Sequence, residues 1–505
     1  MMRWRGRKEV LPGGATYGWR GLVALLAGSV LVSPAVAVAS PWLEPGDRAL
    51  RSDVELLSAY RVIDGPVTAW PVPWAQLSAA MSREAGGLPR HVAAALERVR
   101  ARYMAETESN SWRAQVTFAA TTEPQLVRGF RSTPRDELDA TVSAEYMWPS
   151  TAVRLSVGAQ SRADFDDGDL RLDGSYIAHE THNWLLYGGV TDQWWGPGWN
   201  SSMILSNNAR PFPRAGVMRN DPKAFETPVL SWLGPWQANA FVGVLEEKGR
   251  AVEDPLVVGM RLSVNPVPGL EIAASRILQI CGSGRSCDGG TWFDAITGRD
   301  NTGDETDPSN QLAGIDLRYG NHIGSLAYSG YAQYIGEDEA GGFPSRAAGL
   351  VGASLAGPLG QGGAYWRLIT EYSDSAASVL SSEKRYDLTY NHFIYRTGYR
   401  YRGRSIAHSL DNDSRLLSAT GILTDDRGWR YRATWHHAEL NRDGTAGGNP
   451  VSSTAEEIDI VELGIEVPLP RSILDIGVRY QTDRADTPGE RDPLFAADAR
   501  WHFRL

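Results

Sequence analysis

Seven residues in one short segment carry side chains suited to holding a sugar: Trp194, Trp195, Trp199, Asn200, Asn207, Asn208 and Arg210. Residues 192–211 read Asp-Gln-Trp-Trp-Gly-Pro-Gly-Trp-Asn-Ser-Ser-Met-Ile-Leu-Ser-Asn-Asn-Ala-Arg-Pro. Indole faces match the apolar CH faces of sugar rings, and amides and a guanidinium match their hydroxyl rims. The same residues also suit a rigid turn packed inside a barrel, with Gly196, Pro197 and Gly198 setting the backbone. Amides buried in such a turn would need hydrogen-bond partners. Both readings stand at this point.

Other chemistry is thinner. His179-Glu180-Thr181-His182 has two histidines three apart in a strand-like region, whereas a zinc protease needs them four apart on one helical face. No metal is assigned there. Carboxylates gather in loops, at Asp300, Asp304, Glu305 and Asp307 and at Glu337, Asp338 and Glu339. Solvated loops, or a loosely held divalent cation facing lipopolysaccharide, explain them. No cofactor is expected beyond such a cation. No nucleophile elbow, phosphate loop or complete dinucleotide fingerprint is present, so no catalytic residue is named. Cys281 and Cys287 are the only cysteines. In an exported chain they read as one short disulfide closing a Gly/Ser loop, the alternative being two free thiols.

Export follows from the first 39 residues. Arg3, Arg5, Arg7 and Lys8 precede an apolar run from Gly21 to Val32, then small residues up to Ala39. This is the pattern of a cleaved secretory signal, and the apolar run is short for a span of about 20 residues. The whole chain has a net charge of −10, and the signal carries a net +4, so the mature chain stands near −14. That balance argues against nucleic acid as a partner. Lysine appears only at 8, 223, 248 and 384, so nearly every cation is arginine.

The elements that must position these residues come in two kinds. After the signal, Asp47 suits a helix cap, with Leu50, Val54 and Leu57 on one face. Gly65-Pro66 ends that region. A second short helix starts near Pro73-Trp74, and a third after Pro89 carries Val92, Leu96 and Val99. From Trp112 the period changes to two. Trp112, Ala114, Val116 and Phe118 alternate with Arg113, Gln115 and Thr117. Leu474, Ile476, Val478 and Tyr480 alternate with Asp475, Gly477 and Arg479, and the last eleven residues alternate throughout. Mid-strand charge on one face and aromatics recurring at strand ends fit a membrane barrel with a wet lumen, the soluble alternative being a large β-sandwich or propeller. The roughly 390 residues available hold about 16 to 18 strands, with long loops at 164–173, 281–309, 336–345, 441–456 and 483–492.

Three motifs are similar to those of the capsule assembly Wzi family. One is Ser40-Pro41-Trp42-Leu43-Glu44-Pro45-Gly46-Asp47, followed by Trp70-Pro71-Val72-Pro73-Trp74. The second is the Trp194–Pro211 run, and the third is Pro308-Ser309-Asn310-Gln311-Leu312-Ala313-Gly314-Ile315-Asp316. The resemblance covers essentially the whole mature chain. It implies an outer-membrane barrel of 18 strands, an N-terminal helical bundle on the periplasmic side, and a lectin-like hold on capsular or related polysaccharide. It implies no defined set of sugar-contacting residues.

The expectation is therefore a mostly β chain: a large antiparallel transmembrane β-barrel of about 18 strands with a small N-terminal α-helical bundle. The signal would occupy 1–39, the bundle 40–108 and the barrel 109–505. Its partners would be extracellular polysaccharide, outer-membrane lipid and lipopolysaccharide, in a Gram-negative outer membrane. A porin or polysaccharide channel is the first alternative, and a surface glycan-modifying enzyme the second.

Overall fold

Alternation in the sequence becomes the two faces of a barrel wall. The computed structural model describes residues 40–505 apart from 162–169, 298–308, 338–346, 378–384, 488 and 490. The signal at 1–39 and the acidic residues Asp300, Asp304, Glu305, Asp307, Asp338 and Glu339 lie outside the described residues. Eighteen antiparallel strands close into one sheet, the last, Leu494–Arg504, pairing back onto the first, Ser111–Thr121. One strand is split: Leu170–Arg171 and Tyr176–Thr181 both pair with Thr151–Gln160. Trp112, Phe118, Leu155, Leu317, Val478 and Trp501 point outward and are exposed, while Arg113, Arg154, Asp316, Arg318, Asp475 and Arg479 point inward and are buried. An apolar outer face around a charged lumen is the arrangement of a membrane-spanning barrel.

Three helices precede the barrel: α1, Arg48–Ala59; α2, Trp74–Met81; and α3, Arg90–Glu106. Asp47 caps α1, its Oδ1 accepting from the Leu50 N–H at 2.8 Å. Such a cap contributes about 1 kcal/mol. Leu50, Val54 and Leu57 share a core with Val92, Leu96 and Val99 of α3. The polar face of α1 departs from the expectation for an amphipathic helix. Arg51, Ser52, Asp53 and Glu55 are all buried as well. The reason is the lumen, whose wall offers charges: Glu55 faces Arg318 at 3.6 Å and Arg367 at 3.7 Å.

The helices sit at the end of the barrel with short turns. Tyr60 stacks on His322 beside the turn at Gly324, with ring centroids 4.2 Å apart. Gly269, in another short turn, has φ of 85°, and a Cβ there would lie 2.3 Å from the Gly320 carbonyl oxygen. Only glycine meets both demands. The opposite end carries the long connections, including 375–414 and 441–455. A fourth helix, Gly289–Thr297 (α4), lies in one of them.

Candidate functional site

The Trp-rich segment runs through the lumen as an inserted plug. Trp194 and Trp195 pair as a short strand with Trp70 and Ala69. Trp42 and Leu43 pair in turn with Pro73 and Val72. The motifs that are far apart in sequence therefore meet inside the barrel. Gly198 is required by close approach, since a Cβ would sit 2.2 Å from the Ser201 carbonyl oxygen.

Protein groups satisfy the backbone of this plug. Glu371, on the strand Tyr365–Asp374, accepts from the N–H groups of Trp199 at 2.5 Å and Asn200 at 2.7 Å. Gln333 accepts from Met203 N–H and donates to the Trp195 carbonyl. Arg51 donates to the carbonyls of Pro197 at 2.6 Å and Gly198 at 2.8 Å, and lies 4.4 Å over the Trp199 ring. From the long-loop side, Tyr390 and Tyr399 donate to the carbonyls of Met203 and Ile204.

The seven sugar-binding candidates are thus brought together, but in the interior. Trp194, Trp195 and Trp199 have no exposed surface, and Asn200, Asn207 and Asn208 are buried. Asn207 donates to the Phe130 carbonyl and Asn208 to that of Ser405. Arg210 holds Asp173 through Nε at 3.1 Å and Nη2 at 2.9 Å. A sugar stacking on these indoles would first have to displace Arg51, Phe130 or Phe241 from them.

An ion-pair node ties the plug's supporting helix to the wall. Asp53 accepts from Arg98 at 2.7 and 2.9 Å, from Arg430 at 3.3 Å and from the Tyr365 hydroxyl at 2.9 Å. Burial alone would raise its carboxyl; Arg98 and Arg430 outweigh that and hold it below its ordinary value.

The long-loop end offers open surface. A crevice of about 690 Å³ lies between the loops that follow Asp374, Leu440 and Gln481. Tyr386, Arg415, Arg442, Arg491, Glu439 and Glu456 line it, with Glu457, Asp483, Thr454 and Thr487. Arg442 lies 5.7 Å over the Tyr386 ring and contacts Asp374 at 3.1 Å. Arg415 pairs with Asp374 at 2.9 Å and Glu439 at 3.5 Å. Arg491 is exposed and has no ion-pair partner among the described residues. Sequence reading placed long loops at 441–456 and 483–492 but none at 375–414, and it did not single out Tyr386 or these arginines, because nothing in their local pattern sets them apart.

The remaining candidates are dispersed. His179 and His182 are exposed at the short-turn end, on Thr151 and Thr181 respectively. The Sγ atoms of Cys281 and Cys287 are bonded, with Cα atoms 4.9 Å apart, and the Tyr395 hydroxyl donates to the Cys281 carbonyl.

Comparison with known proteins places this architecture. The family model described as Capsule assembly protein Wzi matches residues 107–496. A Klebsiella pneumoniae protein described as an uncharacterized 55.8 kDa protein in the cps region is 31% identical over 304 residues. That match spans 59% of this chain and 59% of the relative's own length. The solved structure of Wzi, described as an outer membrane protein involved in group 1 capsule assembly in Escherichia coli and a carbohydrate-binding β-barrel, superposes with a TM-score of 0.78. It is 25% identical, over 92% of this chain and 99% of that one. The chain belongs to the capsule assembly protein Wzi family.

Proposed function

We propose that this outer-membrane barrel attaches capsular or related extracellular polysaccharide at the cell surface through its long-loop end. One observation carries the reading: the 194–210 segment is buried in the lumen and hydrogen-bonded to its wall, so its indoles and amides are engaged by protein groups, while the outer rim presents open polar surface. The short-turn end with its helices faces the periplasm, as barrels of this kind place their shorter connections there. The exposed belt contacts lipid and lipopolysaccharide. The role is binding, with no catalytic step, no cofactor in the chemistry and no nucleic acid.

The crevice supports one class of glycan. Four carboxylates, on Glu439, Glu456, Glu457 and Asp483, face three guanidiniums. Arginines do not cluster there free of acids, so a bare polyanion is not favoured. Hydroxyl-rich sugars fit better, donating to carboxylates and accepting from Arg491, with Tyr386 as a stacking face. Each contact is weak, and a polymer gains retention by engaging many barrels at once.

The test is deletion of the gene with measurement of cell-attached and released polysaccharide. Unchanged total polymer with a larger shed fraction supports attachment. Loss of total polymer points to export, and no change in either removes the proposed role. Current through the purified barrel in a planar bilayer separates the channel reading, which requires a large steady conductance.

A further inference from the structure

Three carboxylates converge at the rim of the crevice. Asp387 follows Tyr386, Asp443 follows Arg442, and Asp413 ends the 375–414 loop. One oxygen from each lies within 4.8 Å of the others. Like charges that close disfavour one another's ionisation. Among the described residues, none of the three forms an ion pair with Arg, Lys or His.

Asp413 is the buried member of the cluster. It has no exposed surface. Its Oδ2 accepts from the Asp387 N–H at 2.8 Å and from Asn412 Nδ2 at 2.7 Å, but its Oδ1 is buried without a donor. Asp387 Oδ1 is also buried without a donor. So is the side-chain carbonyl oxygen of Asn412, on the amide that contacts Asp413. Buried acceptors are almost always satisfied. These belong to neighbouring side chains, and all are hard oxygens.

We propose that Asp387, Asp413 and Asp443 form a divalent-cation site of calcium type, joining the 375–414 loop to the 441–455 loop. A shared proton could close one carboxylate pair, leaving the third uncompensated; one cation compensates all three. Ligand type selects the ion. Three carboxylates beside the Asn412 amide oxygen suit calcium, which takes about 6–8 oxygen ligands, many of them supplied by protein. Magnesium usually keeps several waters and is held by only one or two carboxylates. Zinc prefers nitrogen and sulfur ligands, and the cluster offers none. The site requires nothing of the glycan reading.

The experiment uses the full chain purified in detergent and stripped with chelator, titrated calorimetrically with CaCl2 and then MgCl2. One saturable calcium event is expected, with a dissociation constant of about 10⁻³ M or tighter, and weaker magnesium binding. Asp387→Asn and Asp443→Asn should each weaken calcium binding by about tenfold or more. Asp443 is exposed, so its variant tests the site without disturbing the fold. Absence of saturable calcium binding up to about 10 mM overturns the proposal. So does unchanged affinity in both variants, which assigns the ion to other acidic loops.

Discussion

Glu371→Gln tests whether the plug is held by the wall. The carboxylate accepts three hydrogen bonds: Trp199 N–H at 2.5 Å, Asn200 N–H at 2.7 Å and the Tyr331 hydroxyl at 2.8 Å. Hydrogen bonds to a charged group contribute roughly 1.5–3 kcal/mol each. Glutamine keeps the shape but has one acceptor oxygen. Its amide N–H2 would face one of the two backbone N–H groups, donor against donor. The expected loss is about 2–4 kcal/mol in favour of the displaced plug, one charged bond and an orphaned buried donor. Since 1.4 kcal/mol is tenfold, the displaced population should rise between about 30- and 700-fold. Planar-bilayer recording of the purified barrel reads this as brief openings that the unaltered chain lacks. Thermal unfolding followed by Trp fluorescence should show an earlier transition, because Trp194, Trp195 and Trp199 ride on the plug. A variant with the same current trace and the same midpoint as the parent would refute the reasoning, since Glu371 would then hold nothing that matters.

Asp53→Ala should cost about 3–5 kcal/mol by leaving Arg98 and Arg430 without their shared carboxylate, measured as a lower unfolding midpoint. Because the folded Asp53 carboxyl is held below its ordinary 3.8, its contribution is complete above that pH and fades as pH falls beneath it; midpoints measured from pH 6 down to 2 should show this in the parent and less of it in the variant. Asp413 has the opposite sign. Its folded value, about 7, lies above the ordinary 3.8, so in chelator the cluster should weaken as pH rises from about 4 through 7; hydrogen exchange in residues 385–414 would report it, and Asp413→Asn should abolish the trend. Arg491→Ala and Tyr386→Ala should raise the shed fraction of polysaccharide without moving the unfolding midpoint, and an unchanged fraction in both would move the contact elsewhere on the rim. Cys281→Ser paired with Cys287→Ser should loosen the 281–297 loop by about 2 kcal/mol while the barrel melts as before; equal proteolysis of both proteins in that loop would count against it.

The sequence by itself determined the wall and the helices. A strand's two faces follow from a backbone repeat of two residues, so Arg113 and Phe118 could be assigned to opposite faces from order alone. The same holds for Asp47, whose role as a cap needs only the N–H three residues ahead. Tertiary structure alone decided where the Trp-rich segment lies and what it contacts. Trp194 meets Trp70, and Arg51 meets Pro197 and Gly198, across more than a hundred residues, and only barrel closure brings those carbonyls and rings together. Composition left the segment suited both to a sugar and to a core, because both want flat rings beside polar donors. The polar face of α1 was misleading for the same reason: period 3.6 predicts one apolar face, but a charged lumen accepts the other face as well. The rim was least legible. Asp387, Asp413 and Asp443 carry no shared spacing, and their convergence follows from how two neighbouring loops fold over the barrel mouth.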